Sequence, residues 1–313
     1  MPLSNDDVTL EAISPAANRT LTFDLPGLSV GHAEYEAGPT GCTAFLFDHG
    51  WTTSVDKRGG LVGTAGDYEW MHALCFAGGS LPGLEATTGV ARELWSRREH
   101  STNHMPLVNG AIIYDYGKRQ NTVHPDRELG RAAVRAAVPG VIALGARGAG
   151  RSATVGKMRF APEGGGQGAA FREFGGVRLL VVTVVNALGA AIGRDGSVVR
   201  GNFDPSTGVR QRSVSILAPG QTRQPSQEPK PTTNTTLTLV ATDAKLTGRE
   251  LGQFARQVHT SMARAIDPFH TSSDGDTLYA ATSNQKQATT SPDILGMVAG
   301  EVAWDAVLSS FDD

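Results

Sequence analysis

The sequence predicts a layered α/β protein, and three observations support that fold class. Glycine is abundant, at 38 of 313 residues, while aromatic residues make up only 6%, which suits tightly turned strands and helices better than a helical bundle. Hydrophobic content is ordinary at 40%, and a chain of 313 residues can bury a substantial core in one large domain or two. Short β-branched runs also alternate along the chain with segments of helical periodicity.

The first half of the chain contains strands and helices in turn. After about fifteen polar residues, strands are expected at "TLTFD" from Thr20, "LSVGHAEY" from Leu28 and "TAFLF" from Thr43, each bounded by glycine, proline or aspartate. A helix is expected at "LPGLEATTGVARELWSRRE", a strand at "LVNGAIIYDY", and a helix with proline and acids at its start at "PDRELGRAAVRAAV". A glycine-rich loop is predicted from Gly145 to Gly168.

The second half begins with "VRLLVVTVVN" from Val177, which is apolar throughout and is typical of a strand buried on both faces. From Leu217 to Asn234 the composition changes to "LAPGQTRQPSQEPKPTTN", which predicts a flexible surface linker. A strand ("TTLTLVAT"), a helix ("TGRELGQFARQVHTSMARAI"), a strand ("TLYAATS") and a final helix ("DILGMVAGEVAWDAVL") follow. Because this last part begins on a strand, we expect residues 235–313 to belong to the same core as the rest.

Several functional classes are disfavoured by composition. A formal charge of −3 gives no basic surface for nucleic acid, and no apolar run reaches the roughly 18 residues of a membrane span. The first residues lack a basic region followed by an apolar one, so a cytoplasmic protein without a secretory signal is expected. Cys42 and Cys75 lie in apolar surroundings and are expected to be buried free thiols. The eight histidines show no paired zinc spacing, so no metal site is expected.

The stretch "KPTTNTTLTLVATD", from Lys230 to Asp243, has two interpretations. The ordinary one is a linker that meets a β-strand, since threonine is common at strand starts. The other is that the chain is cut between Asn234 and Thr235, which makes Thr235 a new N-terminus. A threonine hydroxyl needs a base, and the α-amine of the same residue, with a pKa near ~8, can serve at working pH. The local sequence leaves both interpretations open.

A series of motifs in one order extends the second interpretation to nearly the whole chain from about Thr20. They are "YEAGPTG", "VDKRGG", "IIYDY", "GQGAAFR", "VVRGNFD", "TGVR", "NTT", "QFARQVHTSM", "PFHTSSDGDTL" and "WDAVL". On these motifs the chain resembles the L-aminopeptidase/D-esterase family of self-processing N-terminal-nucleophile hydrolases, and within it the branch of nylon-oligomer hydrolases. The resemblance implies an αββα-type sandwich, in which two packed β-sheets are flanked by helices. It also implies a single domain that cleaves itself into residues 1–234 and 235–313.

The resemblance implies a catalytic site, position by position. The "NTT" segment matches the family's cleavage site, with Asn234 before the cut and Thr235 as the nucleophile. Asp274 and Asp276 match an acidic pair that orients the nucleophile, and Lys157 matches an active-site lysine. Asn186 matches an asparagine at a strand end that serves the oxyanion or substrate, and Tyr114 matches a pocket tyrosine. One departure is Thr233, where relatives often carry glycine, and slower cleavage is expected from it.

The implied activity is hydrolysis of amide bonds in small oligoamides, such as 6-aminohexanoate (nylon) oligomers, or in related peptide amides. No metal or organic cofactor is implied, and the two cleaved fragments are expected to stay together in a homo-oligomer, for which a tetramer is assumed. Two alternatives remain open from sequence. One is an acyltransferase of similar fold, which passes the acyl group to an amine, and the other is a binding protein that is never processed.

Overall fold

A computed structural model describes residues 2–216 and 234–311, apart from the side chain of Lys118. The helices are α1 Glu85–Ser96, α2 Arg127–Arg135, α3 Ser213–Ile216, α4 Gly248–Ser261 and α5 Pro292–Leu308. The strands are β1 Thr20–Thr22, β2 Leu28–Tyr35, β3 Thr40–Lys57, β4 Thr64–Ala65, β5 Trp70–Ala77, β6 Val108–Ile112, β7 Val138–Pro139, β8 Val141–Ala143, β9 Thr154–Val155, β10 Glu163–Gly164, β11 Gly166–Phe174, β12 Val177–Asn186, β13 Ala190–Ile192, β14 Val198–Arg200, β15 Phe203–Asp204, β16 Val209–Arg210, β17 Thr235–Ala244, β18 Ile266–Asp267 and β19 Thr277–Lys286.

The long strand β3 connects two β-sheets. Its first half pairs with β2 and its second half pairs with β19, both in antiparallel register. Between the halves, the pairing of β3 with β5 shifts register between Leu46 and Trp51, where His49 and Gly50 have φ of 59° and 78°. A bulge of this kind bends a strand, so β3 passes from one sheet to the other. One sheet, the β17 sheet, has the order β11-β12-β17-β19-β3, and the other, the β5 sheet, has the order β7-β2-β3-β5-β6-β4.

The two sheets pack face to face and carry helices on their outer faces. The core between them includes Phe45 and Phe76 of the β5 sheet and Leu239 and Tyr279 of the β17 sheet, all fully buried. Helices α4 and α5 form a second core with the outer face of the β17 sheet, and α1 and α2 form a third with the β5 sheet. This order of helix, sheet, sheet and helix confirms the predicted αββα class.

Strand β17 occupies the middle of its sheet. It pairs antiparallel with β12 on one side and parallel with β19 on the other, and all ten of its residues are buried. A central strand covered on both faces has a nearly continuous apolar sequence, which is what "VRLLVVTVVN" predicted for β12. The chain that follows residue 234 therefore supplies β17 and β19 to the same sheet as β11 and β12.

The helix starts follow from side chains that cap their first turns. Asp126 accepts a hydrogen bond from the Leu129 amide at 2.9 Å before α2. Thr247 and Glu250 form a reciprocal capping box at the start of α4, and Ser291 caps α5 ahead of its first-turn proline. Each cap satisfies amide groups that have no partner within the helix, which is why these boundaries were predictable from sequence.

The predicted glycine-rich loop from Gly145 to Gly168 is partly wrong, because it contains the β9–β10 hairpin and the start of β11. Several of the glycines there allow close packing. A Cβ on Gly168 would lie 2.0 Å from the carbonyl oxygen of Ala306, so α5 contacts the backbone of β11 directly. Strand β5 and the second half of β3 were also not expected from sequence.

Three further predictions can be compared with the structure. Cys42 and Cys75 are free and buried, as expected. The predicted linker lies outside the described residues except for Asn234, which forms an isolated β-bridge with Asp274. Within the described ranges, the structure contains no helix of the length and apolar character needed to cross a membrane.

Candidate active site

Thr235 is the first residue of β17, and three parts of the chain meet around it. Its partner across the ladder is Asn186, the last residue of β12. On the other side the loop that leads into β19 runs alongside, where Asn234 bridges Asp274. The end of β6 approaches through Tyr114. Thr235 and Asn186 are fully buried in the uncut chain, so the hydroxyl is held in a rigid setting at the sheet's end.

The peptide bond between Asn234 and Thr235 is surrounded by hydrogen-bond donors. The Asn234 carbonyl oxygen accepts from the Gly275 amide at 3.0 Å and also from the Thr235 hydroxyl itself. The Tyr114 amide points at Thr235 Oγ1 from 3.4 Å, and the Asn234 side chain donates to the Ser273 carbonyl at 3.3 Å. The arrangement brings a hydroxyl next to a carbonyl whose oxygen already has a backbone donor, which is what nucleophilic attack on that carbonyl requires.

Lys157 and Asn186 form a pair beside Thr235. Lys157 Nζ donates to Asn186 Oδ1 at 2.8 Å and to the Asn186 carbonyl at 3.0 Å. Asn186 Oδ1 also accepts from the Thr154 amide at 3.0 Å, and its Nδ2 donates to the Tyr114 carbonyl at 2.8 Å. A buried asparagine at a strand end was expected to need partners, and it has them. The pair fixes the backbone of Tyr114, whose amide faces Thr235, and adds one positive charge.

Asp274 is a buried carboxylate that favours protonation. Its Oδ2 accepts from the Thr271 amide at 2.9 Å and the Thr271 hydroxyl at 2.5 Å, and its Oδ1 lies 3.5 Å from the Leu188 amide. Burial, with the nearby charge of Asp276, raises the pKa of Asp274 to about 6, although the hydrogen bonds from Thr271 oppose the shift. The carboxyl can therefore exchange a proton near neutral pH.

Asp276 anchors the peptide that follows Thr235. Its Oδ1 accepts from the Thr236 amide at 2.7 Å, and its Oδ2 accepts from the His270 amide at 3.0 Å and lies 3.1 Å from His270 Nδ1. The hydrogen bonds of Asp274 and Asp276 thus go to residues around Thr235 and not to its hydroxyl. The acidic pair holds the backbone around Thr235, a more indirect arrangement than the resemblance implied.

The structure brings together all the residues singled out from sequence, in a network that also contains groups the sequence did not indicate. Tyr114 contributes through its backbone amide and carbonyl, while its half-buried ring lies near Gly63. The Gly275 amide could not have been predicted, because a backbone donor is not tied to any residue type. His270 lies within the quoted motif "PFHTSSDGDTL", which was the one available signal for it. Within residues 2–216 and 234–311, no three His, Cys, Asp or Glu side chains cluster as metal ligands would.

The layered sandwich and the hydroxyl at the start of a central strand define an N-terminal-nucleophile type of hydrolase fold. Among solved structures, the L-aminopeptidase D-Ala-esterase/amidase of Ochrobactrum anthropi, described as a variant of that fold, matches with a TM-score of 0.66 at 16% identity, over 95% of this chain and 88% of that one. A β-aminopeptidase of Burkholderia sp. matches with a TM-score of 0.65 at 18% identity, over 94% of this chain and 87% of that one.

Sequence comparison gives the family. The model of peptidase family S58 matches residues 20–311, and the chain belongs to this family. It is 45% identical to the 6-aminohexanoate-oligomer endohydrolase of Paenarthrobacter ureafaciens, over 98% of this chain and 90% of that protein. The protein is therefore a hydrolase, as the sequence predicted.

Proposed function

We propose that the chain cleaves itself between Asn234 and Thr235, and that the freed Thr235 hydrolyses amide bonds in small oligoamides such as 6-aminohexanoate oligomers. The observation that carries the proposal is the contact of the Thr235 hydroxyl with the Asn234 carbonyl, whose oxygen also accepts from the Gly275 amide at 3.0 Å. The substrate class is inferred from the 45% identity to a 6-aminohexanoate-oligomer endohydrolase.

Self-cleavage begins when Thr235 Oγ1 attacks the Asn234 carbonyl carbon. Negative charge develops on the carbonyl oxygen, towards which the Gly275 amide already points, and the electrostatic gain from such a fixed donor is large in a buried site. The C–N bond then breaks, the Thr235 nitrogen takes a proton, and Asn234 is left as an ester on Oγ1. Water hydrolyses the ester, which gives a carboxylate on Asn234 and a free α-amine on Thr235.

The mature enzyme repeats this chemistry on an external amide. The α-amine of Thr235 takes the hydroxyl proton as Oγ1 attacks the substrate carbonyl, and later donates it to the leaving amine. The Gly275 amide serves the substrate oxyanion as it served the Asn234 carbonyl, and Lys157 adds positive charge beside Asn186. Asp274, with a pKa of about 6, balances the charge of the new ammonium group. Water then releases the acid and restores Thr235.

The two fragments, residues 1–234 and 235–313, remain one particle after cleavage in this proposal. Strand β17 is hydrogen-bonded between β12 of the first fragment and β19 of the second, and β19 is in turn paired with β3 of the first. Helices α4 and α5 cover the same sheet from the second fragment. Separation would expose this entire core, so cutting one bond at the strand's start does not release either piece.

Intact-mass measurement under denaturing conditions tests the cleavage. Wild type should give two fragments that join at Asn234–Thr235 and whose masses sum to the full chain plus one water, while Thr235→Ala should stay whole. Thr236→Val is the matched control, because Thr236 Oγ1 is buried without a hydrogen-bond partner among the described residues, and this variant should still be cut. A wild-type chain that stays whole after prolonged incubation would overturn the proposal.

Product analysis tests the substrate and the type of reaction. Cleaved enzyme incubated with a 6-aminohexanoate oligomer should release shorter oligomers with free amino and carboxyl ends. Cleaved enzyme in which Thr235 has been chemically blocked should release none. Addition of a competing amine such as ornithine separates hydrolysis from acyl transfer, because a transferase would yield the acylated amine in place of the acid. Detection of only the acylated amine would replace the hydrolase assignment.

A further inference from the structure

Two histidines and two carboxylates form a continuous chain behind Thr235, in which His259 and Asp276 are buried and His270 and Asp56 are partly buried. Asp276, which anchors the Thr236 amide, lies 3.1 Å from His270 Nδ1. The His270 ring contacts the His259 ring edge-to-face, with centroids 4.3 Å apart and planes at 82°. His259 Nδ1 in turn lies 3.0 Å from Asp56 Oδ2. Asp56 belongs to β3 and His259 to α4, so the chain connects the acidic pair to the body of the fold.

The contacts determine which ring nitrogens carry protons. A carboxylate oxygen only accepts, so the Nδ1 of each ring that faces one of these carboxylates donates. Among the described residues, Nε2 of His259 and Nε2 of His270 are buried and have no hydrogen-bond partner. Burial lowers the pKa of His259, which favours the neutral ring beside His270. Each imidazole thus donates one hydrogen bond, and the acceptor in both cases is a carboxylate.

The backbone of His270 is held in an unusual conformation that serves the same contact. Its φ of 60° lies in the left-handed region, which few residues with a side chain adopt. In this conformation the amide of His270 and its Nδ1 both reach the same oxygen of Asp276, at 3.0 Å and 3.1 Å. The ring is held between Phe269, at 3.8 Å between centroids, and His259. Strain that persists because the surroundings require it is common at functional sites.

We propose that His270 is a positioning residue that fixes the Asp276 carboxylate, and through it the Thr236 amide and the Thr235 nucleophile, with His259 and Asp56 holding its ring in place. This inference rests on the proposed function of Thr235. The two backbone donors hold one oxygen of Asp276 each, and the imidazole adds a second donor to Oδ2, which further opposes rotation of the carboxylate. A shift of about 1 Å in a nucleophile can cost about a hundredfold in rate, so loss of the imidazole donor should slow the reaction at Thr235.

Paired substitutions at His270 distinguish the effect of its hydrogen-bond donor from the effect of its ring packing. His270→Asn keeps an N–H donor at a similar distance and tolerates a positive φ, while His270→Phe keeps an aromatic ring but lacks the donor. We expect His270→Phe to lower both the self-cleavage rate and kcat about tenfold to a hundredfold with little change in KM, and His270→Asn to recover most of the loss. His100 is the matched control, because it also has a positive φ, of 57°, and is exposed at the end of α1. His100→Phe and His100→Asn should behave as wild type.

The outcomes distinguish this inference from the proposed function. If the wild type is cut and active and His270→Phe has wild-type rates, the positioning role is overturned and the proposed function stands. If the wild type is not cut, the proposed function is overturned. Equal losses in His270→Phe and His270→Asn point to packing alone and also overturn the positioning role. If His270→Phe does not fold, imidazole ¹⁵N spectra of the wild type, assigned with His270→Asn, still decide: a protonated Nδ1 supports the proposal, and an Nδ1 without a proton refutes it.

Discussion

A single methyl group at Gly275 should block the cleavage reaction without removing any hydrogen-bond donor. A Cβ built on Gly275 would lie 2.7 Å from Thr235 Oγ1 and 2.7 Å from the Leu61 carbonyl oxygen. Both distances are shorter than Cβ contacts tolerate, and the Leu61 oxygen belongs to the backbone, so the Thr235 side chain has to move. The Gly275 amide that donates to Asn234 is retained in Gly275→Ala.

The expected magnitude follows from these contacts. Restoring an ordinary separation displaces the hydroxyl by roughly 1 Å, which costs about a hundredfold in rate, equivalent to about 2.7 kcal/mol of barrier. Overpacking of a buried position also destabilises the fold by about 1–3 kcal/mol. The rate is measured as the disappearance of the uncut mass with time after translation is stopped. The stability is measured by urea denaturation of Thr235→Val with and without Gly275→Ala, because valine keeps the shape of threonine and the chain is not cut.

Gly248→Ala is the matched control for Gly275→Ala. Gly248 is the first residue of α4, and nothing lies within 4 Å of the Cβ it would gain. This variant should be cut at the wild-type rate and be at least as stable, because alanine is the better helix former. Cleavage of Gly275→Ala at the wild-type rate would refute the reasoning, since it would show that Thr235 Oγ1 does not react from the position it occupies against Gly275.

Two further expectations concern charge. Because the folded-state pKa of Asp274 is about 6 against an ordinary value of 3.8, the folded chain binds this proton more tightly than the unfolded chain, and stability falls as pH rises through that window. The test compares Asp274→Asn with its parent by urea denaturation, both in the uncut Thr235→Ala chain. Relative to the parent, the free energy of unfolding of Asp274→Asn should rise by up to about 3 kcal/mol between about pH 4 and pH 6. A difference that does not change with pH would contradict the assigned pKa shift. Lys157→Met removes the ammonium that donates to Asn186. We expect the self-cleavage rate and kcat to fall about a hundredfold, with KM little changed. A rise in KM alone would assign Lys157 to substrate binding.

The sequence predicted most regular elements because their causes are local. The strand from Leu28 to Tyr35 was predicted to the residue, and α4 and α5 coincide closely with the last two segments predicted as helices. The errors arose where tertiary contacts override local patterns. Asp48 was taken as the end of a strand, yet β3 continues through a bulge to Lys57, since its second half pairs with β19 from the far end of the chain. No local pattern can reveal a partner more than two hundred residues away.

The sequence by itself determined the layered α/β class, the place of Thr235 after Asn234 at the start of an apolar strand, and the acid, lysine and asparagine residues grouped with it. The class and the strand follow from residue type and periodicity, whereas the grouped residues follow from the family resemblance that the order of the motifs indicates. The tertiary structure alone decided what surrounds the Asn234–Thr235 bond. The Gly275 amide on the Asn234 carbonyl and the imidazole of His270 on Asp276 arise where loops from distant segments meet β17. A backbone N–H is common to nearly every residue, so only its direction in the folded chain can make it part of a site.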